Sequence, residues 1–126
     1  MDADVKWRRH YRLEVWKQGI VLVKAVYDLT RRFPNDERYG LCTQLRRAAI
    51  SVPSNIAEGV ARTSDKELLR FLDIASGSLS EVDTQLIIAS ELGYLRRDDE
   101  IFQRVANESR LLAGFIRSVQ DVRRRP

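Results

Sequence analysis

Catalytic chemistry finds few residues to work with in this 126-residue chain, whose one histidine is His10 and whose one cysteine is Cys42. A Ser-His-Asp or Cys-His arrangement would have to recruit His10 from a basic N-terminal stretch outside any periodic segment. A single cysteine excludes an intrachain disulfide and a two-cysteine metal motif, and it points to a reducing compartment. The carboxylates are scattered and lack a histidine cluster, so the expectation is no catalytic residue, no metal and no cofactor; a metal-dependent hydrolase working through carboxylates alone is the weakest reading. Cations are plentiful: 22 Lys and Arg stand against 18 Asp and Glu, for a net charge of +4. Most are arginines, whose forked guanidinium suits phosphate and carboxylate.

These cations are grouped at Lys6, Arg8, Arg9, His10 and Arg12, at Arg31 and Arg32, at Arg46 and Arg47, at Arg96 and Arg97, and at Arg123 to Arg125. Phosphate backbones need only Lys and Arg presented in register, and such contacts carry salt-dependent affinity without reading sequence. Arg46, Arg47, Arg123, Arg124 and Arg125 are therefore the candidate nucleic-acid-binding residues. The competing reading is a solvated basic surface whose arginines pair with acids along helices.

A second polar constellation lies between residues 44 and 62. At about 100° per residue, Leu41, Leu45, Ala49, Val52, Ile56 and Gly59 share one side of a helix, and Arg47, Ser51, Ser54, Asn55, Glu58 and Arg62 the other. Pro53 sits inside this pattern, lacks an N–H and presses on the carbonyl of Ala49, so the helix is expected to kink there or restart. Ser51 and Ser54 can satisfy the freed carbonyls and Glu58 can pair with Arg62 one turn later, making Ser51, Ser54, Asn55 and Glu58 a structural polar ladder. A recognition surface is the alternative.

Four helices are needed to position these groups. Leu13, Trp16, Ile20, Val23 and Tyr27, with a second row of Val15, Leu22, Val26 and Leu29, predict a first helix from about residue 11 to Arg32 with more than one neighbour. Pro34-Asn35-Asp36 marks a turn, with Asn35 or Asp36 as N-cap of a second helix running to Ala61. Ser64 and Glu67 form a capping box, and Leu68, Leu72, Ala75, Leu79, Val82, Leu86 and Ala89 follow as a heptad seam. Gly77 among serines suggests a close contact, and Gly93 a left-handed cap. Asp98 is the expected N-cap of a fourth helix carrying Ile101, Val105, Leu112, Ile116 and Val119. The fold class that follows is all-α, an antiparallel up-down-up-down four-helix bundle with its second helix kinked near Pro53. Residues 1–126 make one domain, with basic ends, 1–10 and 120–126, expected to be flexible. The run Gly19-Ile20-Val21-Leu22-Val23 stops at Lys24, so neither a membrane span nor a signal-peptide core is supported and a cytoplasmic protein is expected.

Leu13-Glu14-Val15-Trp16-Lys17, Phe33-Pro34, Tyr39-Gly40-Leu41, Gln44-Leu45-Arg46-Arg47-Ala48, Ser51-Val52-Pro53-Ser54-Asn55-Ile56-Ala57-Glu58-Gly59, Phe71-Leu72, Ala75-Ser76-Gly77-Ser78-Leu79 and Leu92-Gly93-Tyr94 together resemble the four-helix-bundle proteins encoded in the intervening sequences of bacterial 23S ribosomal RNA genes. The resemblance covers roughly Leu13 to Val119; Asp83 stands where those proteins more often have Glu. It implies a bundle without an established enzymatic activity. It also implies a likeness in fold to the accessory protein of diversity-generating retroelements, a basic pentameric ring that associates with nucleic acid and a reverse transcriptase. The expectation is accordingly a bacterial homo-oligomer, a pentamer, that binds or scaffolds, with RNA or DNA as possible partner and no membrane. A structural or protein-partner adaptor without nucleic-acid binding is the alternative.

Overall fold

The computed structural model describes residues 8–124. Four helices account for most of them: α1 (Glu14–Thr30), α2 (Leu41–Val60), α3 (Asp65–Glu91) and α4 (Ile101–Arg123). Each helix packs on the next and α4 closes onto α1, so the four surround one core. Leu22, Leu45, Ile56, Leu72, Leu86 and Leu112 are fully buried there, and each such side chain withdrawn from water is worth about 1.5–3 kcal/mol. All seven heptad positions of α3 are buried. Paired residues show direction: Gln44 meets Gln85 and Ser51 meets Ser78, while a Cβ on Gly59 would touch Phe71 and Leu68. Partner numbers fall as α2 advances, as two helices running in opposite directions require.

The two apolar rows of α1 are ranked by the packing. Val15, Leu22, Val26 and Leu29 are buried together with Gly19, whereas Ile20 is 45% exposed and Leu13, Trp16, Val23 and Tyr27 are half-buried. A bundle helix with two neighbours can bury one broad stripe, and the second row is left at its margin.

Several expected boundaries move. A 3-10 turn, Arg9–Arg12, precedes α1, and His10 and Tyr11 pack on Trp16 at centroid distances of 5.0 and 5.4 Å. The turn takes in Arg9 and His10, and α4 continues through Gln120 to Arg123, while residues 1–7 and 125–126 of the two basic ends lie outside the described residues. Neither Asn35 nor Asp36 caps α2. They lie in a separate 3-10 turn, Asn35–Glu37, and the chain bends at Gly40 before the helix begins. The Glu37 carboxylate instead accepts from the Leu41 N–H at 3.3 Å, placing negative charge at the positive end of the helix dipole.

Through Pro53 the helix continues unbroken to Val60 and does not restart. Ser64 caps α3 by accepting from the Glu67 N–H at 3.2 Å, while the Glu67 carboxylate is engaged by Arg70, so only half of the capping box forms. Gly93 adopts φ +83°. The Tyr94 N–H reaches the Ala89 carbonyl and the Gly93 N–H the Ser90 carbonyl, the two bonds of a Schellman ending. Asp98 does not cap α4, because Arg96 holds it at 2.9 Å; Asp99 takes the role, accepting from the Ile101 N–H at 2.9 Å.

Gly77 is exposed, with nothing within 4 Å of where a Cβ would sit, so within the subunit it marks no close contact. Gly59 does. A Cβ there would stand 2.9 Å from Phe71 Cβ and 3.2 Å from the Leu68 carbonyl oxygen, so this glycine permits a close approach of α2 and α3.

Candidate functional site

The polar ladder divides into parts with different roles. Ser51 Oγ and Ser78 Oγ share a hydrogen bond of 2.7 Å between α2 and α3, and the Asn55 amide donates to Ser51 Oγ at 2.9 Å and to the Ser51 carbonyl at 2.8 Å. Ser51 thus joins α2 to α3, and Asn55 braces it from one turn along the same helix. Ser54 is exposed, in an outward seam lined also by Trp16, Ile20, Ile50, Pro53 and Ala57. Glu58 pairs with Arg62 at 3.4 Å on the surface, a contact too solvated to secure a bend. The expected single network around Pro53 is thus a half-buried tie, a seam residue and a surface pair.

Of the candidate phosphate-binding arginines, Arg46 is committed internally. Its Nε donates to Thr30 Oγ1 at 2.8 Å, and its guanidinium lies 4.4 Å from the centre of the Tyr27 ring. Thr30 is itself buried, donates to the Val26 carbonyl at 2.7 Å, and offers its own carbonyl to the Cys42 thiol at 3.6 Å. Arg46 and Cys42 thereby tie α2 to the last turn of α1. Thr30 was not singled out by periodicity, since its role depends on a partner sixteen residues away.

Arg47 is exposed on α2, well away from the helix end that carries Arg123 and Arg124. The bundle does not bring Arg47 and Arg123 into one site, and Arg125 lies outside the described residues. What the fold does gather is another set. Arg9, Leu13, Val60, Asp65, Phe115 and Val122 line one shallow pit, which puts the first 3-10 turn, the α2–α3 turn and the end of α4 at the same end of the bundle. Arg8, Arg9, Arg12, Lys66, Arg123 and Arg124 are exposed on these elements. Among the described residues no carboxylate stands within ion-pair distance of them, whereas Arg31, Arg62, Arg70, Arg96 and Arg104 are each paired. An up-down-up-down order by itself puts both chain termini and the turn between the second and third helices at one end, so charge runs at separate positions in the sequence become neighbours there.

At the opposite end, Glu37 links the two connections by accepting from the Tyr94 hydroxyl at 2.8 Å, and that bond raises the tyrosine's pKa. Tyr94 also stacks on Phe33, with centroids 5.4 Å apart. His10 and Cys42 sit at opposite ends of α1, beside Trp16 and Thr30. Fourteen residues of helix separate those contacts, roughly 21 Å, so the two cannot form a nucleophile and base. Burial lowers the pKa of His10 and raises that of Cys42, in each case disfavouring the charged form. Among the described residues no group of three or more His, Cys, Asp and Glu could hold a metal ion, and no helix is long and apolar enough to cross a membrane.

A surface trough lies between α3 and α4, where Ser76, Ser80, Asp83, Thr84 and Ser109 present hydroxyls and one carboxylate. It holds neither the histidine nor the cysteine of the chain. No curated protein matches the chain. The model of one protein family, described as 23S rRNA-intervening sequence protein, matches residues 11–116, a span that holds α1, α2, α3 and most of α4. With that span matched and four helices folded as one bundle, the chain belongs to the 23S rRNA-intervening sequence protein family.

Proposed function

We propose that this protein is a non-enzymatic, homo-oligomeric binding or scaffolding protein of the bacterial cytoplasm that holds RNA or DNA through its phosphate backbone. The observation that carries the reading is the basic end of the bundle, where Arg8, Arg9, Arg12, Lys66, Arg123 and Arg124 are exposed and take part in none of the ion pairs among the described residues. Cations so placed attract phosphate at long range, and every phosphate they neutralise releases counterions. Repetition of the surface in an oligomer, a ring of five by the resemblance, multiplies weak contacts through effective concentration. A gel-shift titration of the intact oligomer with single-stranded RNA, structured RNA and duplex DNA across a salt series tests it. Affinity should fall steeply with salt and differ little between sequences; no binding at low salt would overturn the reading.

A protein-adaptor reading is favoured by the α1–α2 seam, where Ile20 is 45% and Ile50 41% exposed beside Trp16, Pro53 and Ala57. Apolar surface of this kind is suited to another polypeptide, including a second copy of the chain. Under this reading the seam is the interface and the basic end is a solvated surface.

A further inference from the structure

Glu108 is a carboxyl in the middle of the hydrophobic core. Its exposure is 0%, and among the described residues neither of its oxygens has a hydrogen-bond partner. It projects from α4 to a point where two other helices converge, for a Cβ added to Gly19 of α1 would lie 2.9 Å from Glu108 Oε2 and 3.2 Å from Pro53 Cβ of α2. The glycine makes room for the carboxyl and the proline ring at one level of the bundle. Pro53 also removes the N–H that would bond the Ala49 carbonyl, and Ala49 is fully buried one turn away. A protonated carboxyl carries an O–H and no net charge, while a carboxylate brings only lone pairs and a charge. An unpaired charge at such a place is far costlier than a neutral acid.

We propose that Glu108 is a proton-operated packing element: α4 closes against Gly19 and Pro53 with the carboxyl neutral, and loss of the proton loosens the bundle at that level. Pro53 reaches the outer seam with Ile20, Ile50 and Ser54, so the loosening is transmitted to the α1–α2 surface. Desolvation pushes the Glu108 pKa up to about 8, with no contribution from a neighbouring charge. The charged groups of the surrounding helices, Lys17 and Lys24 of α1, Arg47 and Glu58 of α2, and Asp73 and Asp83 of α3, stand at or near the surface, as do Arg104 and Arg110 of α4 itself. His10, which lines the same seam as Pro53, has its pKa lowered by burial and by Arg8. Because the folded state holds this proton and the unfolded chain releases it near the ordinary 4.5, stability is greatest below that value, declines as pH rises, and levels once pH passes about 8.

Chemical denaturation of the intact protein and of Glu108→Gln, at equal protein concentration from pH 5 to 9, isolates the effect. Glutamine keeps the shape and cannot ionise. The ratio of folding constants, wild type over variant, should fall about tenfold per pH unit up to the pKa and then flatten; a ratio independent of pH overturns the proposal. Should the variant fail to fold, carboxyl carbon NMR on the wild-type protein decides the matter. A carboxyl still protonated at pH 7 supports the proposal, and complete ionisation of every carboxyl by pH 6 overturns it. The proposal stands or falls independently of nucleic-acid binding.

Discussion

At the scale of single residues, the bundle is most sensitive where small or polar groups occupy core positions. Gly19→Ala places a methyl group 3.2 Å from the Pro53 ring and 2.9 Å from the Glu108 carboxyl. The carboxyl can shift, but the ring is held by its own helix, so overpacking should cost about 1–3 kcal/mol in a denaturant titration. Asn55→Ala removes two hydrogen bonds to Ser51 in a half-buried place. About 0.5–1.5 kcal/mol should be lost. Glu58→Ala, by contrast, breaks only a 3.4 Å ion pair between exposed side chains, and its melting temperature should match wild type to within an effect of about 0.5 kcal/mol. A melt of Glu58→Ala as low as that of Asn55→Ala would show the ladder to act as one unit after all.

At the scale of elements, helix ends and helix crossings carry the remaining specificity. Gly93 ends α3 with φ +83°, a conformation that costs an L-residue with a side chain roughly 1–2 kcal/mol; Gly93→Ala should lower stability by that amount without reducing the helix content of the other elements in circular dichroism. Arg46→Ala should also destabilise, because it frees Thr30 Oγ1 of a donor and uncovers the Tyr27 ring. About 1–2 kcal/mol is expected from the hydrogen bond and the cation–π contact together. Reduced nucleic-acid affinity in that variant would then reflect loss of fold and not loss of a phosphate contact, and a melt run beside the binding assay separates the two. Arg47→Ala, on the exposed side of the same helix, should melt like wild type.

At the scale of the whole molecule, assembly and charge are the quantities to measure. Ile20, Ile50, Ile74 and Ile88 are all more than 40% exposed, and Gly77 leaves open space on α3. Apolar surface left over by one four-helix core is expected to be covered by other subunits. Light scattering after size exclusion at micromolar concentration should therefore report a multimer, and a stable monomer would remove that expectation. Truncation of residues 123–125 should lower both affinity for RNA or DNA and its salt slope while leaving helical content unchanged. An unchanged slope would detach the basic end from binding.

The sequence by itself determined the number and kind of elements. The 3.6-residue spacing of apolar side chains and the turn residues Pro34, Ser64 and Gly93 are local properties of a chain, and the heptad seam of α3 is buried at every position. The true caps were less legible, because Glu37 and Asp99 do by side-chain reach what Asp36 and Asp98 were expected to do from position alone. Tertiary structure alone decided which of the two α1 rows enters the core and that the close approach belongs to Gly59 and not Gly77. It decided as well that Arg46 turns inward and that Glu108, on the apolar side of α4, lies under Gly19 and Pro53. Each of these depends on a partner far away in sequence. Periodicity records how often a helix meets its neighbours, whereas the identity of the atoms it meets arises only when four helices are brought together.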